Sequence, residues 1–543
     1  MPIDSVVSNK RPKPIVLIVL DGWGLSPSWG GNAIAMNNPP NMNKYWRQFP
    51  HCVLQAFMPI AGEAGTIANS EIGHASIGTG RMIEPDLNEI NTSIKNGSFF
   101  KNDVLVDTCQ EVVKKNSNLH LVGLISDGAV HSHIAHLYAL LKLAKENNVK
   151  NVYIHAITDG RDVSSTSAIK YLTNIKKKID EIGCGKIATI VGRYYAMDRN
   201  DNWNNIEEAY KAEVEGVGKN ENDPLKAISD LYRQGYTDEF IPPTVIVEKN
   251  KPIARISDND NVIFFNFRAD RARELTRAYL DPKALRSVIT RKHRLLKINF
   301  VSLTDYKINF PNLSVAFQPA VIESNLAKIL ADHGYKQLHI AESEKYAHVT
   351  YFFNGGAEKA NAGEDRIIIP SAKVVSYDQK PEMSADEITS KVTSAIKSNK
   401  YDFILVNYAN VDMIGHTGNI LAASKAVEVV DNNLGRVVEE VLKADGMAII
   451  TADHGNVEQM ISVEAKDKDP ETLHSLNPVP FLIISKKINK NLFKSAYKSN
   501  ELLISDILSS KHTLADIAPT ILEIMNIAKP TDMTGSSLLN KLE

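Results

Sequence analysis

The chain has 543 residues, 43% of them hydrophobic and 23% charged, and its 62 Lys and Arg face 64 Asp and Glu for a formal net charge of -2. That length exceeds one ordinary hydrophobic core and predicts two or three domains, while the balanced charge excludes bulk attraction to nucleic acid. Cys52, Cys109 and Cys184 are odd in number and far apart with no CxxC pair, which excludes a disulfide framework and a cysteine zinc site and fits a reducing cytoplasm.

Met1 to Pro14 carries basic residues without the apolar centre of a signal peptide and reads as a tail. Ile15 to Leu20 is strand-like and far shorter than the roughly 20 residues that cross a bilayer, and no longer apolar run follows, so no membrane span is expected. The run ends at Asp21. Gly22-Trp23-Gly24 then meets Pro27 where a third glycine would stand, which argues against a dinucleotide site. Farther on, Ala68-Asn69-Ser70-Glu71-Ile72-Gly73-His74 places a serine after small residues and before Ile72, Ala75 and Ile77, which predicts a helix start. Free N–H groups and the helix dipole favour an anion there. Ser70 therefore reads in two ways, as the helix cap and as a nucleophile that carries a phosphoryl group.

From here a short apolar run ending in a charged residue, followed by helical spacing, recurs along the chain. Leu119 to Ile125 leads to Asp127, Val152 to Ile157 to Asp159-Gly160-Arg161-Asp162, Ile187 to Val191 to Arg193, and Val262 to Phe267 to Arg268. Leu296 to Leu303 leads to Asp305, Phe403 to Val406 to Asp412, and Met447 to Ile450 to Asp453-His454. Helices are predicted over 132–147, 164–182, 206–214, 270–279, 322–333, 385–398, 422–444 and 514–525. Continuous apolar strands alternating with helices predict an α/β fold with mostly parallel sheets, whose ligands sit beyond the carboxyl ends of the strands. Glu464 to Glu471 reads as a charged loop.

Asp412-Met-Ile-Gly-His416 sets a carboxylate and an imidazole four residues apart, on one face of a helical turn. With Asp21, Asp453, His454 and His474, these residues offer oxygen and nitrogen donors and no thiolate, a set suited to one or two divalent cations such as Mn²⁺, Zn²⁺ or Mg²⁺. Individually, a strand-terminal Asp also serves as a cap or turn residue. Two metals would ionise the serine and neutralise a phosphoryl group.

The middle of the chain instead places arginines at strand ends: Arg161, Arg193, Arg199, Arg268 and Arg271. Arginine's planar fork suits phosphate and carboxylate, so a small substrate bearing both is implied; the other reading pairs Arg268, Arg271 and Arg273 with Asp270 and Glu274 on a solvated helix. No exposed aromatics interleave with these clusters, against an RNA surface. Asp162 is placed to move a proton between two substrate hydroxyls. His131 offers a hydrogen bond to a phosphoryl group in transit, and Lys345 an ammonium to neutralise it; otherwise they are a loop histidine and a surface lysine.

Together Val16 to Gly24, Asn69 to His74, Ser126-Asp127-Gly128, Asp159 to Asp162, Gly192 to Arg199, Phe265 to Arg268, Glu344 to Thr350, Asp412 to His416 and Thr451 to Asn456 resemble the cofactor-independent phosphoglycerate mutases of the alkaline phosphatase superfamily. The resemblance implies a discontinuous phosphatase-like domain over 1–84 and 319–543 and an inserted transferase-like domain over 85–318, with hinges at Pro85 and between Phe310-Pro311 and Pro319. It implies that Ser70 is phosphorylated in turnover. Asp21, Ser70, Asp453 and His454 would surround one metal, and Asp412, His416 and His474 the other. His131, Arg161, Asp162, Arg193, Arg199, Arg268, Arg271 and Lys345 would contact substrate. The sequence departs from the family at Ala129, where a second glycine is usual, and at Gly65-Thr66-Ile67-Ala68.

The expected activity is interconversion of 3-phosphoglycerate and 2-phosphoglycerate through a phosphoserine, with two divalent metals, Mn²⁺ ahead of Mg²⁺, Co²⁺ or Zn²⁺, and no 2,3-bisphosphoglycerate. The inserted domain is expected to close over the site and exclude water. A cytoplasmic monomer is expected. The rival is a metal-dependent phosphomonoesterase using the same Ser70; against it stands the arginine-rich insert, since a hydrolase need not retain the dephosphorylated alcohol.

Overall fold

The computed structural model describes residues 11–27, 31–57, 69–281, 283–284, 297–318, 322–461, 470–487 and 511–539. The tail before residue 11, Gly65 to Ala68, Leu296, Pro319 and most of the charged loop at 464–471 lie outside them. The chain forms two compact units, Met1–Pro85 with Ala320–Glu543, and Asp86–Pro319.

In the first unit a seven-stranded sheet runs in the order Glu364–Ile369, Gln337–Glu342, Phe403–Tyr408, Ile15–Leu20, Met447–Thr451, Val479–Ile484, His51–Leu54. The first five are parallel, as their unbroken Ile, Leu and Val runs predict, because both faces are covered and no strand can alternate. Every residue of Ile15–Leu20 and Phe403–Tyr408 is buried. The last two pairings, of Val479–Ile484 with Met447–Thr451 and with His51–Leu54, are antiparallel, within a mostly parallel sheet. Helix Ile420–Lys443 buries Ala423, Val427, Val430, Leu434, Val438 and Val441 at helical spacing. It begins two residues before its predicted start because Asn419 caps it, accepting from Ala422 N at 3.2 Å.

The second unit holds a nine-stranded sheet among the described residues, ordered Leu313–Phe317, Asn299–Thr304, Asn261–Phe264, Leu119–Leu124, Val152–Thr158, Lys186–Gly192, Thr244–Glu248, Lys219–Glu221, with Lys251–Pro252 pairing with Thr244–Glu248. Leu313–Phe317 is an edge strand, so the stretch between Pro311 and Pro319 is not simply a connector. Predicted helix starts at 132, 164, 270 and 322 come late, at Ile134, Ala168, Arg273 and Leu326. His133 and Asn325, ahead of two of these helices, cap them through their side chains, accepting from Ala135 N and Lys328 N. No helix among the described residues is long and apolar enough to cross a membrane.

A buried carboxyl makes this unit pH-sensitive. Glu213 is fully buried, accepts the Tyr279 hydroxyl, and is pushed up by burial from 4.5 to about 8. The fold then holds a proton that the unfolded chain has lost, so stability falls as pH rises from about 4.5 to about 8. The slope is at most about 1.4 kcal/mol per pH unit. Denaturant unfolding of Glu213→Gln is expected to lack this component; a variant with the wild-type pH profile would show that Glu213 is ionised in the fold.

Candidate active site

Register brings the first cluster together. Leu20 pairs with Tyr408, and Val19 with both Asn407 and Thr451, so three adjacent parallel strands end side by side. Asp21 leaves the first, the helix Asn410–Gly415 bearing Asp412 follows the second, and Asp453-His454 follow the third. Lys345 ends a short turn, Ser343–Lys345, directly after Gln337–Glu342. This is the carboxyl edge where α/β sheets bind ligands.

Ser70 is the first residue of helix Ser70–Thr79, and the cap is Asn69, whose side chain accepts from Ile72 N at 2.9 Å. The capping role read for Ser70 therefore belongs to its neighbour, which leaves the serine hydroxyl free for other partners. Ser70 Oγ lies 2.6 Å from Lys345 Nζ and 2.9 Å from His454 Nε2, and donates to Asp21 Oδ1 at 3.2 Å. Gly73 allows this approach: a Cβ there would stand 2.6 Å from the Asp453 carbonyl oxygen. Gly73→Ala is expected to destabilise the fold by about 1–3 kcal/mol through overpacking and to lower activity by displacing Asp453. Thermal unfolding and a crystal structure of the variant test this; an unmoved Asp453 would refute it.

The cation-ligand residues converge. Asp412, His454 and His474 bring donor atoms within 4.8 Å of one another, as do Asp21, His74 and Asp453. His416 joins the first set, with Nε2 3.3 Å from Asp412 Oδ1 and 3.1 Å from His474 Nε2. His454 stands between the sets, its Nε2 3.6 Å from Asp21 Oδ1, 3.6 Å from Asp453 Oδ2 and 4.0 Å from Asp412 Oδ1. His416 Nδ1 bonds the Thr472 carbonyl at 2.7 Å and His454 Nδ1 the Gly455 carbonyl at 3.3 Å, which turns each Nε2 inward, the usual arrangement for metal-ligating histidine.

The charge balance fits divalent cations. Asp21, Asp412 and Asp453 are all buried, and among the described residues one ammonium bonds this group: Lys345 donates to Asp21 Oδ1 and Asp412 Oδ2, both at 2.7 Å. Without further positive charge, burial and then the neighbouring Asp453 push Asp21 up to about 7. Burial also opposes ionisation of Asp412, but Lys345, His416 and His474 outweigh it and hold that carboxyl well down. His454 is pushed down to about 3, chiefly by burial, and so offers a neutral ring to a metal at neutral pH. Asp453 Oδ2, fully buried, lies 3.2 Å from His74 Nδ1 and 3.6 Å from His454 Nε2.

Two residues here escaped the sequence reading. His74 Nδ1 donates to the Ser70 carbonyl at 2.9 Å, and Asn407 Nδ2 donates to Asp21 Oδ2 at 2.7 Å and lies 3.0 Å from His74 Nε2. His74 stands in the very motif that carries Ser70, four residues on, which was the available signal. Asn407 reads as one polar residue in an apolar strand.

In the second unit, Asp159 gathers the end of Val152–Thr158. Its Oδ1 accepts from Arg193 Nη1 at 2.6 Å and from the N–H groups of Arg161 and Asp162 at 3.1 and 3.0 Å, and its Oδ2 from Ser126 Oγ at 2.6 Å. Arg193 Nη1 also reaches Asp162 Oδ2 at 2.6 Å. Asp270 draws in a second group: Arg199 Nη1 at 3.1 Å, Arg268 Nε at 3.3 Å and His131 Nδ1 at 3.5 Å. Asp270 and Arg271 precede helix Arg273–Leu280, so they do not pair along it; Arg271 donates to the Met197 carbonyl at 3.1 Å and Arg273 to that of Tyr306 at 2.8 Å.

Arg271 is lowered by burial and by the nearby charges of Arg199, Arg193 and Arg161, a crowding of cations that an anion would relieve. His131 is buried and pushed down to about 3 by burial, with Arg193, Arg268 and Arg271 adding to the effect against Asp270. Ala129, two residues earlier, holds φ +60° in the left-handed region, the conformation its usual glycine would take without strain. Asp127 and Asp305 play local roles, accepting from the Tyr171 hydroxyl and from Lys307 N respectively.

Residues 90–308 match the family model described as the BPG-independent PGAM N-terminus. The 2,3-bisphosphoglycerate-independent phosphoglycerate mutase of Clostridium botulinum (strain ATCC 19397) is 46% identical over 528 residues, covering 97% of this chain and 99% of its own. That of Clostridium kluyveri is 48% identical over 528 residues, again covering 97% and 99%. A crystal structure of Leishmania mexicana phosphoglycerate mutase, at low cobalt concentration, superposes with a TM-score of 0.72 at 27% identity, covering 98% of both chains. Identity at this level, sustained from the strand before Asp21 to the segment after His474, shows that the chain belongs to the 2,3-bisphosphoglycerate-independent phosphoglycerate mutases.

Proposed function

We propose that the chain interconverts 3-phosphoglycerate and 2-phosphoglycerate through a phosphoserine at Ser70, without 2,3-bisphosphoglycerate. The observation that carries this reading is the Ser70 hydroxyl, buried at a helix start and bonded at once by Lys345, His454 and Asp21. Asp21, Ser70, Asp453 and His454 would hold one divalent ion and Asp412, His416 and His474 the other. The oxygen and nitrogen donors suit Mn²⁺ first, with Mg²⁺, Co²⁺ or Zn²⁺ as alternatives. When bound, two such ions favour the ionised serine and neutralise phosphoryl oxygens.

Ser70 Oγ attacks phosphorus and the bond from phosphorus to the substrate oxygen breaks, leaving phospho-Ser70 and glycerate. Lys345 Nζ, 2.6 Å from that Oγ, neutralises charge on the group in transit. His131 hydrogen-bonds the same group. Arg161, Arg193, Arg199, Arg268 and Arg271 retain glycerate through its carboxylate while it reorients. Asp162, held by Arg193, protonates the leaving alkoxide and takes the proton from the other hydroxyl, which then attacks phospho-Ser70. Two in-line transfers retain configuration at phosphorus. A cytoplasmic location and a monomeric state complete the proposal.

An enolase-coupled assay on 3-phosphoglycerate without added 2,3-bisphosphoglycerate tests the reading. Expected is 2-phosphoglycerate formation that chelation abolishes and Mn²⁺ restores. Release of inorganic phosphate without 2-phosphoglycerate would overturn it in favour of a phosphomonoesterase.

A further inference from the structure

Glu458 is a fully buried carboxylate at which three of the ligand-bearing segments of the first unit meet. Its Oε2 accepts from Gly24 N at 3.2 Å, in the segment that follows Asp21, and from Asn456 N at 2.8 Å, two residues past His454. Its Oε1 accepts from the Ser475 hydroxyl and from Asn477 Nδ2 at 2.9 Å, both in the segment that carries His474. Four donors meet one carboxylate, which is close to all that its lone pairs can accept. The fourth segment joins through Asn456, whose Nδ2 donates to Asp412 Oδ1 at 2.9 Å.

The chain is built closely around this group. A Cβ on Gly24 would lie 2.3 Å from the Glu458 carboxyl carbon, and one on Gly455 would lie 2.4 Å from its Oε1. The carboxylate is bonded on both oxygens and has nowhere to move, so both positions require glycine. The segment around His474 belongs to no helix or strand, and its next regular element begins only at Val479. Bonds from Ser475 and Asn477 to Glu458, together with the Ser475 N–H donating to the Gly455 carbonyl at 3.0 Å, hold His474 in place relative to Asp412 and His454.

We infer that Glu458 is a positioning residue that sets the spacing of the metal ligands on Asp21, Asp453-His454 and His474, without itself touching metal or substrate. This inference rests on the metal-dependent mutase reading. Glu458→Gln keeps the shape but replaces one oxygen by an NH₂ group that must face two donors, forcing apart the segments clamped there.

The test uses Mn²⁺ alone as the probe, with electron paramagnetic resonance of the free ion measuring binding to the full-length protein. Wild type, Glu458→Gln and the double variant Ser475→Ala/Asn477→Ala are compared, with coupled activity recorded against Mn²⁺ concentration. Both variants are expected to bind Mn²⁺ roughly 10–100-fold more weakly, the usual cost of losing an outer-shell partner, and to recover most of kcat at saturating Mn²⁺. A role in packing alone would lower Tm and leave the Mn²⁺ titration unmoved, and that result overturns the inference. Should Glu458→Gln fail to fold, the double variant decides on the same criterion. Wild type that binds Mn²⁺ yet forms no 2-phosphoglycerate would overturn the functional reading and leave this inference to the titration; wild type that binds no Mn²⁺ overturns this inference and the Mn²⁺ assignment.

Discussion

Replacing Ser70 by alanine is expected to abolish mutase activity, lowering kcat by at least about ten-thousandfold, the scale of loss when a covalent nucleophile is removed. Among the described residues, the groups bonded to Oγ are Lys345, His454 and Asp21, an ammonium, an imidazole and a carboxylate, none of them a hydroxyl that could substitute. The variant should keep its fold. The helix cap is Asn69, so Ser70→Ala removes no cap, and the loss of stability is expected to stay near 1 kcal/mol, the scale of a single side-chain hydrogen bond. Turnover, thermal unfolding and trapping of ³²P from labelled substrate check the three parts of this expectation. Substantial residual turnover, or label retained by the alanine variant, would take Ser70 out of the mechanism.

Much of this arrangement was legible because it is local. An apolar run too continuous to alternate must be buried on both faces, and the charged residue that ends it falls on the carboxyl edge; Asp21 and Asp453 were found by that rule alone. The pairing between strands was not legible, since Ile15–Leu20 lies between Phe403–Tyr408 and Met447–Thr451, hundreds of positions away in the chain. Asn407 acquires meaning only through its register with Val19, which puts its amide beside Asp21. Glu458 shows the same limit. One acidic residue after Asp453-His454 gives no sign that donors from Gly24 and Asn477 will converge on it. Helical spacing from 270 makes Asp270 a surface partner for the arginines; the helix begins three residues later, which frees it to gather Arg199, Arg268 and His131. The antiparallel edge was missed for a different reason: His51–Leu54 has four residues and Val479–Ile484 opens with Val-Pro, weak signals beside the long parallel runs.

Lys345→Met should separate the lysine's two tasks, because the substitution keeps the stem and removes the charge. In metal-free protein, Asp21 and Asp412, both buried, lose the ammonium that each bonds at 2.7 Å. Burial disfavours the charged lysine, and the attraction of Asp21, Asp412 and Asp453 overcomes this and holds the ammonium protonated. Removing one partner of such a buried set costs about 3–5 kcal/mol, so the Tm of the chelated variant should fall steeply. Divalent cations bring positive charge to the same carboxylates, so the fall should be much smaller in Mn²⁺-loaded protein. Activity should not follow stability. Even at saturating Mn²⁺ the variant loses the donor 2.6 Å from Ser70 Oγ, and kcat is expected to drop by roughly 10²–10³-fold, as when a preorganised donor to a developing charge is removed. Lys345→Arg should not restore it, because a planar fork cannot reproduce one compact ammonium shared among Asp21, Ser70 and Asp412. Differential scanning calorimetry with and without Mn²⁺, beside coupled assays, distinguishes the tasks: equal Tm losses in the two states would mean that metal and lysine do not share these carboxylates, and full activity at saturating Mn²⁺ would confine Lys345 to holding the site together.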